Sequence, residues 1–336
     1  MTARAAVMGA GSWGTVFAKV LRDAGTEVTL WGRRPGTIES INERRENPDY
    51  LPGVELPPGI RATTDPAEAL AGADIVALAV PSQTLRANLT VWAPLLPSDA
   101  ALVSLMKGVE LGTTRRMSEV IQEVADVPEE RVAAVCGPNL AREIAAGQPG
   151  AAVAACSDEE TARRIQAACM TPYFRIYTNP DVVGCELGGA VKNVIALCVG
   201  IAVGLGFGDS TRAMLMTRGL AEIARLGAAL GADEHTFAGL AGMGDLIATC
   251  SSPLSRNRTF GENLGRGMTL EQVISVTKQT AEGVKSSEAV LELARKHSVE
   301  MPITELVAAV MHHGMSIAEA AALLMSRSPK PERYGV

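Results

Sequence analysis

Lys192 stands in an apolar stretch where a charged side chain is unusual. Between Val182 and Phe207 the only charged residues are Glu186 and Lys192, and most of the others are aliphatic or glycine. A lysine that loses its hydration in such surroundings has a lowered pKa, closer to the range in which an amine exchanges a proton near neutral pH. We therefore predict that Lys192 acts as a general acid or base.

Three glycines early in the chain indicate a dinucleotide-binding turn. Gly9, Gly11 and Gly14 have the spacing G-x-G-x-x-G, between an apolar run typical of a strand and a helical pattern. In such a turn the first glycine permits the tight bend, the second lets the backbone approach a pyrophosphate, and the third allows close helix–strand packing. The N-terminus of the helix then faces the phosphates. An ordinary glycine turn of an α/β protein is the alternative.

The end of the second predicted strand indicates which dinucleotide binds. An acidic residue about 20 positions beyond the glycines would bind the ribose 2′-hydroxyl of NAD. The chain has Arg33 and Arg34 in this region, and two guanidinium groups suit a 2′-phosphate. We therefore predict NADPH as the cofactor, with NADH as the other candidate. A solvated surface pair of arginines is the alternative interpretation.

Three further polar segments are candidates for holding a substrate. Lys107 follows an apolar run and would lie at the carboxyl end of a parallel strand, where open α/β sheets bind ligands. Asp245 could hold a lysine charge or a substrate hydroxyl, although an Asp after a glycine turn is often a helix cap. Ser255, Arg256 and Asn257 combine a hydroxyl, a guanidinium and an amide, which together can grip a phosphate. A solvated lysine and a polar connector are the alternatives for the first and last segments.

The elements that must position these residues change in type along the chain. Apolar runs typical of strands alternate with helical patterns in the first half, at Arg4–Met8, Glu27–Trp31, Asp74–Val80, Ala101–Met106, Arg131–Cys136, Ala151–Ala155 and Tyr173–Tyr177. Such alternation predicts a mostly parallel sheet covered on both faces. Beyond about Asp181 only helical patterns continue, separated by polar loops such as Cys250–Arg258. We therefore predict an α/β fold, with an N-terminal Rossmann-type domain over residues 1–185 and a C-terminal all-α domain over residues 186–336.

Composition restricts the partners. The 336 residues carry a formal net charge of −6, and an acidic chain does not favour nucleic acid, which requires a basic face. The six cysteines form no CxxC pair and no histidines have metal-ligand spacing, so we expect no metal and a reduced, cytoplasmic protein. The apolar run from Asn193 to Phe207 is shorter than the roughly 20 residues that span a bilayer, so we expect no membrane insertion. An apolar helical half is compatible with a homodimer.

The order of the motifs is more specific than any one of them. The segments GAGSWGT, KGVE, GPNLAREI, GGAVKNVIA, GLGFGDSTRA, GLAGMGDLIATC, SRNRTFG and AEGV follow one another along the chain. This series resembles that of the bacterial NAD(P)-dependent glycerol-3-phosphate dehydrogenases over nearly the whole chain. The resemblance implies interconversion of sn-glycerol 3-phosphate and dihydroxyacetone phosphate, which supplies the backbone of phospholipids.

The resemblance also implies roles for individual residues. Lys192 matches the general acid/base of the family. The substrate-contacting positions are matched by Lys107, Gly137, Asn139, Lys192, Asp245, Ser255, Arg256 and Asn257. The cofactor-contacting positions, besides the three glycines, are matched by Ser12, Trp13, Arg33, Arg34, Tyr50, Lys107, Ala141, Arg256, Thr280 and Glu282. Asn139 departs from the family pattern, which usually has Ser or Thr, and Thr280 stands where valine is common.

Two other functions stay open at this point. A β-hydroxyacid or ketopantoate-type reductase also combines a Rossmann domain with a helical domain and a lysine. The polar loop from Ser255 to Arg258 favours a phosphorylated small-molecule substrate over the carboxylates that such reductases use. A non-catalytic dinucleotide sensor is the second alternative, and it would have no use for a lysine in an apolar segment.

Overall fold

The computed structural model of the protein describes residues 3–277, 281–326 and 328. The described residues form ten strands, which are β1 Arg4–Met8, β2 Glu27–Trp31, β3 Glu46–Asn47, β4 Leu51–Glu55, β5 Ile60–Thr63, β6 Ile75–Leu78, β7 Ala101–Ser104, β8 Val132–Cys136, β9 Gly150–Ala155 and β10 Phe174–Asn179. They also form 16 α-helices, which are α1 Ser12–Asp23, α2 Pro35–Arg44, α3 Pro66–Leu70, α4 Leu85–Trp92, α5 Met117–Ala125, α6 Ala141–Ala145, α7 Glu159–Cys169, α8 Val182–Gly204, α9 Asp209–Ala229, α10 Glu234–Ala238, α11 Asp245–Ser251, α12 Arg256–Gly265, α13 Leu270–Val276, α14 Glu282–Lys296, α15 Pro302–His312 and α16 Ile317–Met325. Short 3₁₀ turns lie at Ser82–Thr84, Ala93–Leu95 and Glu129–Arg131, and a π-helical turn lies at Leu240–Gly244.

Eight of the strands form one sheet, in the order β10-β9-β8-β7-β6-β1-β2-β5. Neighbouring strands are parallel except β8 and β9, which are antiparallel. The predicted mostly parallel sheet followed by a helical region is therefore confirmed. Met8 pairs with Leu78, and Leu78 pairs with Ser104. The segments that follow β1, β6 and β7 consequently leave the sheet side by side at one edge.

The central strands are buried because helices cover both faces of the sheet. Every residue of β6, β7 and β8 is buried, which explains why these strands appear in the sequence as continuous apolar runs rather than as an alternation. On one face α1 contributes Phe17 and Leu21 to the core. On the other face α4 contributes Leu85 and Leu89.

Helix α8 forms the centre of the helical region. It is buried on nearly all sides, as expected for a helix that is apolar around its whole circumference. Glycines let α12 approach it closely: a Cβ on Gly200 would lie 2.1 Å from the carbonyl oxygen of Arg258, and one on Gly261 would lie 2.1 Å from that of Leu197. Any larger residue at these two positions would force the helices apart.

Helix α8 is longer than the apolar run on which the prediction of no membrane insertion is based. The helix begins at Val182, where Asp181 accepts a hydrogen bond from the backbone N–H of Gly184, so its 23 residues exceed the apolar run considered in the sequence. By length and composition it could cross a membrane, but 83% of its most apolar window is buried inside the protein. Burial rather than length therefore separates it from a membrane span.

Two local predictions differ from the structure. The strands β3, β4 and β5 were not predicted. In the case of β4 the pattern carries little apolar signal, because the strand contains Pro52 and Gly53 and exposes most of its residues. The predicted loop over Cys250–Arg258 shortens to residues 252–255, because Ser255 caps a helix that already begins at Arg256. The domain boundary after residue 185 stays a prediction; β10 ends at Asn179 and α8 follows directly.

Candidate active site

Lys192 lies on α8 with its amine enclosed by polar groups of α11. Its Nζ is 2.5 Å from Asp245 Oδ1 and 2.5 Å from Thr249 Oγ1, and its side chain is only 6% exposed. Burial lowers the pKa of Lys192 to about 8, with the nearby charge of Lys107 adding to this effect and the Asp245 carboxylate opposing it. The lowered pKa expected from the apolar sequence is thus confirmed.

Asp245 joins two lysines through its two carboxylate oxygens. While Oδ1 accepts from Lys192, Oδ2 lies 2.7 Å from Nζ of Lys107, which also donates to the carbonyl of Gly137 at 3.1 Å. Burial is the largest single influence on the pKa of Lys107 and lowers it, but the Asp245 charge, Cys136 and the hydrogen bonds with Asp245 and Lys192 together outweigh burial, and the pKa lies above its usual value. The pKa values of the two lysines are therefore shifted in opposite directions. We call these three residues, Lys107, Lys192 and Asp245, the lysine–aspartate cluster.

The turn before α11 directs Asp245 toward the lysines. Residues Leu240–Gly244 form a π-helical turn, a wide turn that is frequent at functional sites. The turn contacts α8 at Gly188, where an added Cβ would lie 2.4 Å from the carbonyl oxygen of Ala241. Gly244, and not Asp245, occupies the N-cap position of α11. The Asp245 side chain therefore does not cap this helix and contacts the two lysines instead.

A second set of polar contacts connects α8 to α12 and α14. Asn193 Nδ2 lies 3.5 Å from the carbonyl oxygen of Lys107, and Asn257 Nδ2 donates to Asn193 Oδ1 at 3.0 Å. Asn257 Oδ1 in turn accepts from the backbone N–H of Gly283 at 2.9 Å. Asn193 therefore belongs to the site, even though it lies about 100° round the helix from Lys192.

The predicted phosphate loop faces the start of α14. Ser255 caps α12 by accepting from the backbone N–H of Arg258 at 3.3 Å. Burial lowers the pKa of Arg256 and raises that of Glu282. The charge of Glu282 opposes the shift at Arg256, and the charge of Arg256 opposes the shift at Glu282. Glu282 also accepts a hydrogen bond of 2.8 Å from the hydroxyl of Ser82, which follows β6. A contact 200 residues apart in sequence thus joins the helical region to the ligand-binding edge of the sheet.

Asn139 is a buried amide without a hydrogen-bond partner. Among the described residues nothing bonds to its Nδ2 or Oδ1, although both atoms are buried. It lies between Gly137, whose carbonyl accepts from Lys107, and Ala141, the first residue of α6. A buried amide normally has its hydrogen bonds made, so Asn139 has donor and acceptor capacity left for a ligand.

The glycine loop, residues 9–14, has the space that a pyrophosphate requires. Gly9 has a φ of +142°, and a Cβ there would lie 2.3 Å from the carbonyl oxygen of Ala79. A Cβ on Gly14 would lie 2.0 Å from the carbonyl oxygen of Gly9, whereas one on Gly11 meets nothing within 4 Å. Among the described residues no side chain caps the N-terminus of α1, and the backbone at Gly11 is therefore open to a ligand. These features fit a bound dinucleotide.

The residues predicted to hold the far end of the cofactor lie beside this loop. The hydroxyl of Ser12 donates to the carbonyl of Tyr50 at 2.9 Å, and the guanidinium of Arg34 lies 5.7 Å from the centre of the Tyr50 ring. Arg34 is also 3.5 Å from Asp49, and Arg33 is exposed. Arg33 and Arg34 therefore place their guanidinium groups beyond the end of β2.

Trp13 and Thr280 are the other two predicted cofactor contacts. The ring of Trp13 packs against Phe17 and Phe174, with ring centres 6.0 and 6.4 Å apart, so it belongs to the margin of the core as well as to the loop. Thr280 lies outside the described residues.

Five residues near these sites were not predicted from the sequence, namely Thr249, Asn193, Ser82, Asn47 and Thr15. Thr249 lies four residues after Asp245 on α11, one helical turn away, and this spacing could have identified it. Ser82 follows an apolar strand in the same way as Lys107, which is a weaker signal. Asn47 and Thr15 contact each other across 32 positions, and no local pattern indicates such a contact. Among the described residues, no group of His, Cys, Asp and Glu is placed to hold a metal ion.

Two family models match the chain. The model described as NAD-dependent glycerol-3-phosphate dehydrogenase N-terminus covers residues 4–162, and the C-terminus model covers residues 181–322. A relative from Thermobifida fusca named glycerol-3-phosphate dehydrogenase [NAD(P)+] is 66% identical over 334 residues, 99% of both chains. One of the same name from Streptomyces griseus is 68% identical over 330 residues, 98% of both chains.

A solved structure agrees in fold over the same length. The crystal structure of glycerol-3-phosphate dehydrogenase from Coxiella burnetii superimposes with a TM-score of 0.92 at 35% sequence identity, covering 97% of this chain and 99% of that one. Both halves of the chain, and the order in which they occur, are therefore those of a single known family. The chain belongs to the NAD-dependent glycerol-3-phosphate dehydrogenase family.

Proposed function

We propose that the protein catalyses the reversible NAD(P)H-dependent reduction of dihydroxyacetone phosphate to sn-glycerol 3-phosphate. The observation that carries this proposal is the lysine–aspartate cluster, in which the buried amine of Lys192, with a pKa of about 8, is held beside a second lysine by one carboxylate. The names of the relatives, glycerol-3-phosphate dehydrogenase [NAD(P)+], support the choice of substrate.

Lys192 is the proton donor in this proposal. A nicotinamide dinucleotide held at the glycine loop would supply the hydride that the carbonyl carbon receives. Negative charge then develops on the carbonyl oxygen, and the ammonium of Lys192 transfers a proton to it, which leaves a neutral amine and an alcohol. Lys107 remains charged throughout and stabilises the developing alkoxide electrostatically. In the reverse direction the neutral amine of Lys192 accepts the proton of the secondary alcohol.

The remaining site residues orient the substrate. We assign the substrate phosphate to Ser255, Arg256 and Asn257, because a guanidinium with neighbouring hydroxyl and amide donors suits a phosphate dianion. Asn139 contributes its unpartnered amide to the three-carbon body. Gly137 keeps Lys107 in place through its carbonyl oxygen.

Activity on a panel of ketones tests the proposal. We expect the purified protein to oxidise NADPH when dihydroxyacetone phosphate is added, and to form sn-glycerol 3-phosphate in equal amount. Unphosphorylated dihydroxyacetone should be a poor substrate because it lacks the group that Arg256 binds. Turnover of ketopantoate but not of dihydroxyacetone phosphate would replace this proposal with a ketopantoate-type reductase.

The rate should depend on pH in opposite ways for the two directions. With a pKa of about 8, Lys192 is mainly protonated below pH 8 and neutral above it. We expect kcat/KM for reduction to decline from pH 7, to reach half its maximum near pH 8 and to keep falling above that, while kcat/KM for oxidation of glycerol 3-phosphate rises through pH 8 and levels off only above about pH 9. This range avoids the titration of the substrate phosphate near pH ~6. Lys192→Arg, whose guanidinium does not titrate here, should show no such change near pH 8.

NADPH is the proposed cofactor because Arg33 and Arg34 lie beyond β2. Replacing both with Ala should lower kcat/KM for NADPH about tenfold and leave kcat/KM for NADH within about twofold. A tenfold loss corresponds to a free energy near the lower end of the range for hydrogen bonds to charged groups. The lower end applies because both arginines are exposed and Asp49 lies near Arg34. Arg44→Ala, an exposed arginine at the other end of α2, is the matched control. Equal losses for both cofactors would contradict the assignment.

The remaining expectations concern the context of the enzyme. We propose that it acts in the cytoplasm, at the start of glycerophospholipid synthesis, with all six cysteines reduced as they are in the structure. A division near residue 185 is supported by the cores, since the two clusters that cover the sheet run up to Ile176 and the helical cluster, apart from Val109, begins at Leu187. A small fourth cluster, which includes Cys136, Cys185 and Ala241, packs the two regions together. We also propose a homodimer, which light scattering of the purified protein would test.

A further inference from the structure

The short hairpin formed by β3 and β4 carries a buried amide that contacts the glycine loop. Asn47 is completely buried, and its Nδ2 donates to the carbonyl of Ala10 at 2.9 Å and to the hydroxyl of Thr15 at 2.8 Å. Its Oδ1 accepts from the backbone N–H of Tyr50 at 3.3 Å. Both donors and the acceptor of this amide are therefore in use.

These contacts fix the loop on both sides of the point where a ligand would approach. Ala10 precedes Gly11, the position that is open to a pyrophosphate, and Thr15 lies in the first turn of α1 just after it. The hydroxyl of Ser12, between them, donates to the carbonyl of Tyr50 in the same hairpin. The hairpin thus holds residues 10, 12 and 15, although it contributes no strand to the main sheet.

We propose that Asn47 is a positioning residue for the dinucleotide: it keeps the glycine loop in the conformation that binds a pyrophosphate. This inference rests on the proposed binding of a nicotinamide dinucleotide. The backbone N–H groups at the start of α1 bind an anion only when the loop directs them toward it. Without the Asn47 contacts the loop also adopts other conformations. The affinity for the cofactor then falls in proportion to the fraction of time that the loop remains in the binding conformation. The side chain of Asn47 bonds to the glycine loop and its own hairpin and not to the lysine–aspartate cluster, so we expect the chemical step to be unaffected.

The affinity for NADPH in the absence of substrate is the measurement that tests this inference. The dissociation constant, measured by NADPH fluorescence, should rise about tenfold in Asn47→Ala if the loop is then competent about one tenth of the time. At saturating NADPH, kcat and the KM for dihydroxyacetone phosphate should stay at their wild-type values. Because binding is measured without turnover, the result is independent of whether dihydroxyacetone phosphate is the substrate.

A matched control is available on α2. Asn42 makes the same kind of two-sided amide contact, donating to the carbonyl of Ala62 at 2.9 Å and accepting from its N–H at 2.8 Å, but it secures β5 rather than the glycine loop. Asn42→Ala should lower the melting temperature without changing the dissociation constant for NADPH. Equal weakening of NADPH binding by both variants would overturn the proposal, as would wild-type affinity in Asn47→Ala.

A milder variant covers the case in which Asn47→Ala does not fold. Thr15→Val keeps the shape of the side chain and removes only the hydroxyl that accepts from Asn47. It should raise the dissociation constant about threefold, since it removes one hydrogen bond, and the effects of Thr15→Val and Asn47→Ala should be less than additive because both remove the same contact. An unchanged dissociation constant in Thr15→Val, or full additivity, would contradict the positioning role.

Discussion

Replacing Lys192 with alanine is expected to lower kcat for the reduction of dihydroxyacetone phosphate by about 10²–10⁴-fold, the usual contribution of a positioned general acid. The ammonium of Lys192 is the buried group whose pKa lies near the working pH, and the variant has no equivalent donor at that place. The ion pair between Lys107 and Asp245 remains in the variant, so binding of the substrate should change much less than kcat. Steady-state kinetics in both directions measures the two effects separately.

The control for this prediction is a lysine outside the site. Lys296 is exposed at the end of α14, and Lys296→Ala should have wild-type kinetics. A Lys192→Ala enzyme that kept near-normal turnover would show that the proton comes from another group. A large rise in KM with little change in kcat would instead assign Lys192 to binding alone.

Asp245→Asn is expected to damage both stability and turnover. The carboxylate is 1% exposed and pairs with two lysines, and removing one member of a buried ion pair typically costs about 3–5 kcal/mol of folding free energy. The pKa of Lys192 should also fall further, because the Asp245 charge that holds it up is lost. Lys192 would then be neutral at pH 7, and we expect kcat for reduction to fall by at least about 10²-fold.

Urea unfolding together with kinetics distinguishes these two effects. Glu159→Gln removes an exposed partner of Arg163 and should change the free energy of unfolding by less than about 0.5 kcal/mol, as is usual for surface ion pairs. If Asp245→Asn were as stable as the wild type and as active at pH 7, the carboxylate would hold neither lysine in the functional enzyme.

Much of the site could be predicted because its features are local in the sequence. The glycine spacing at Gly9, Gly11 and Gly14 is a local signal: Gly9 and Gly14 have no room for a Cβ, and Gly11 leaves the backbone open to a ligand. The unusual setting of Lys192 is also local, because the apolar residues that surround it in sequence also bury it in α8. The order of the motifs then sufficed to identify the family.

The remainder depends on contacts between distant segments, which a single sequence does not display. Asp245 could equally have capped a helix, and only the packing of the turn at Leu240–Gly244 against Gly188 of α8 directs its carboxylate to the lysines. Ser82 and Glu282 meet across 200 positions. Asn47 lies in a hairpin whose Pro, Gly and charged residues give no strand pattern. These residues are ordinary polar side chains until the fold brings them to the site.

Chemical rescue of Lys192→Ala is the most direct test of the central claim that Lys192 donates the proton. Methylammonium and tetramethylammonium carry the same charge, but only methylammonium has a proton to give. We predict that the rate of NADPH oxidation by Lys192→Ala with dihydroxyacetone phosphate rises with methylammonium concentration and does not respond to tetramethylammonium. An equal increase with both ions would contradict the account, because it would show that the site requires the charge of Lys192 and not its proton.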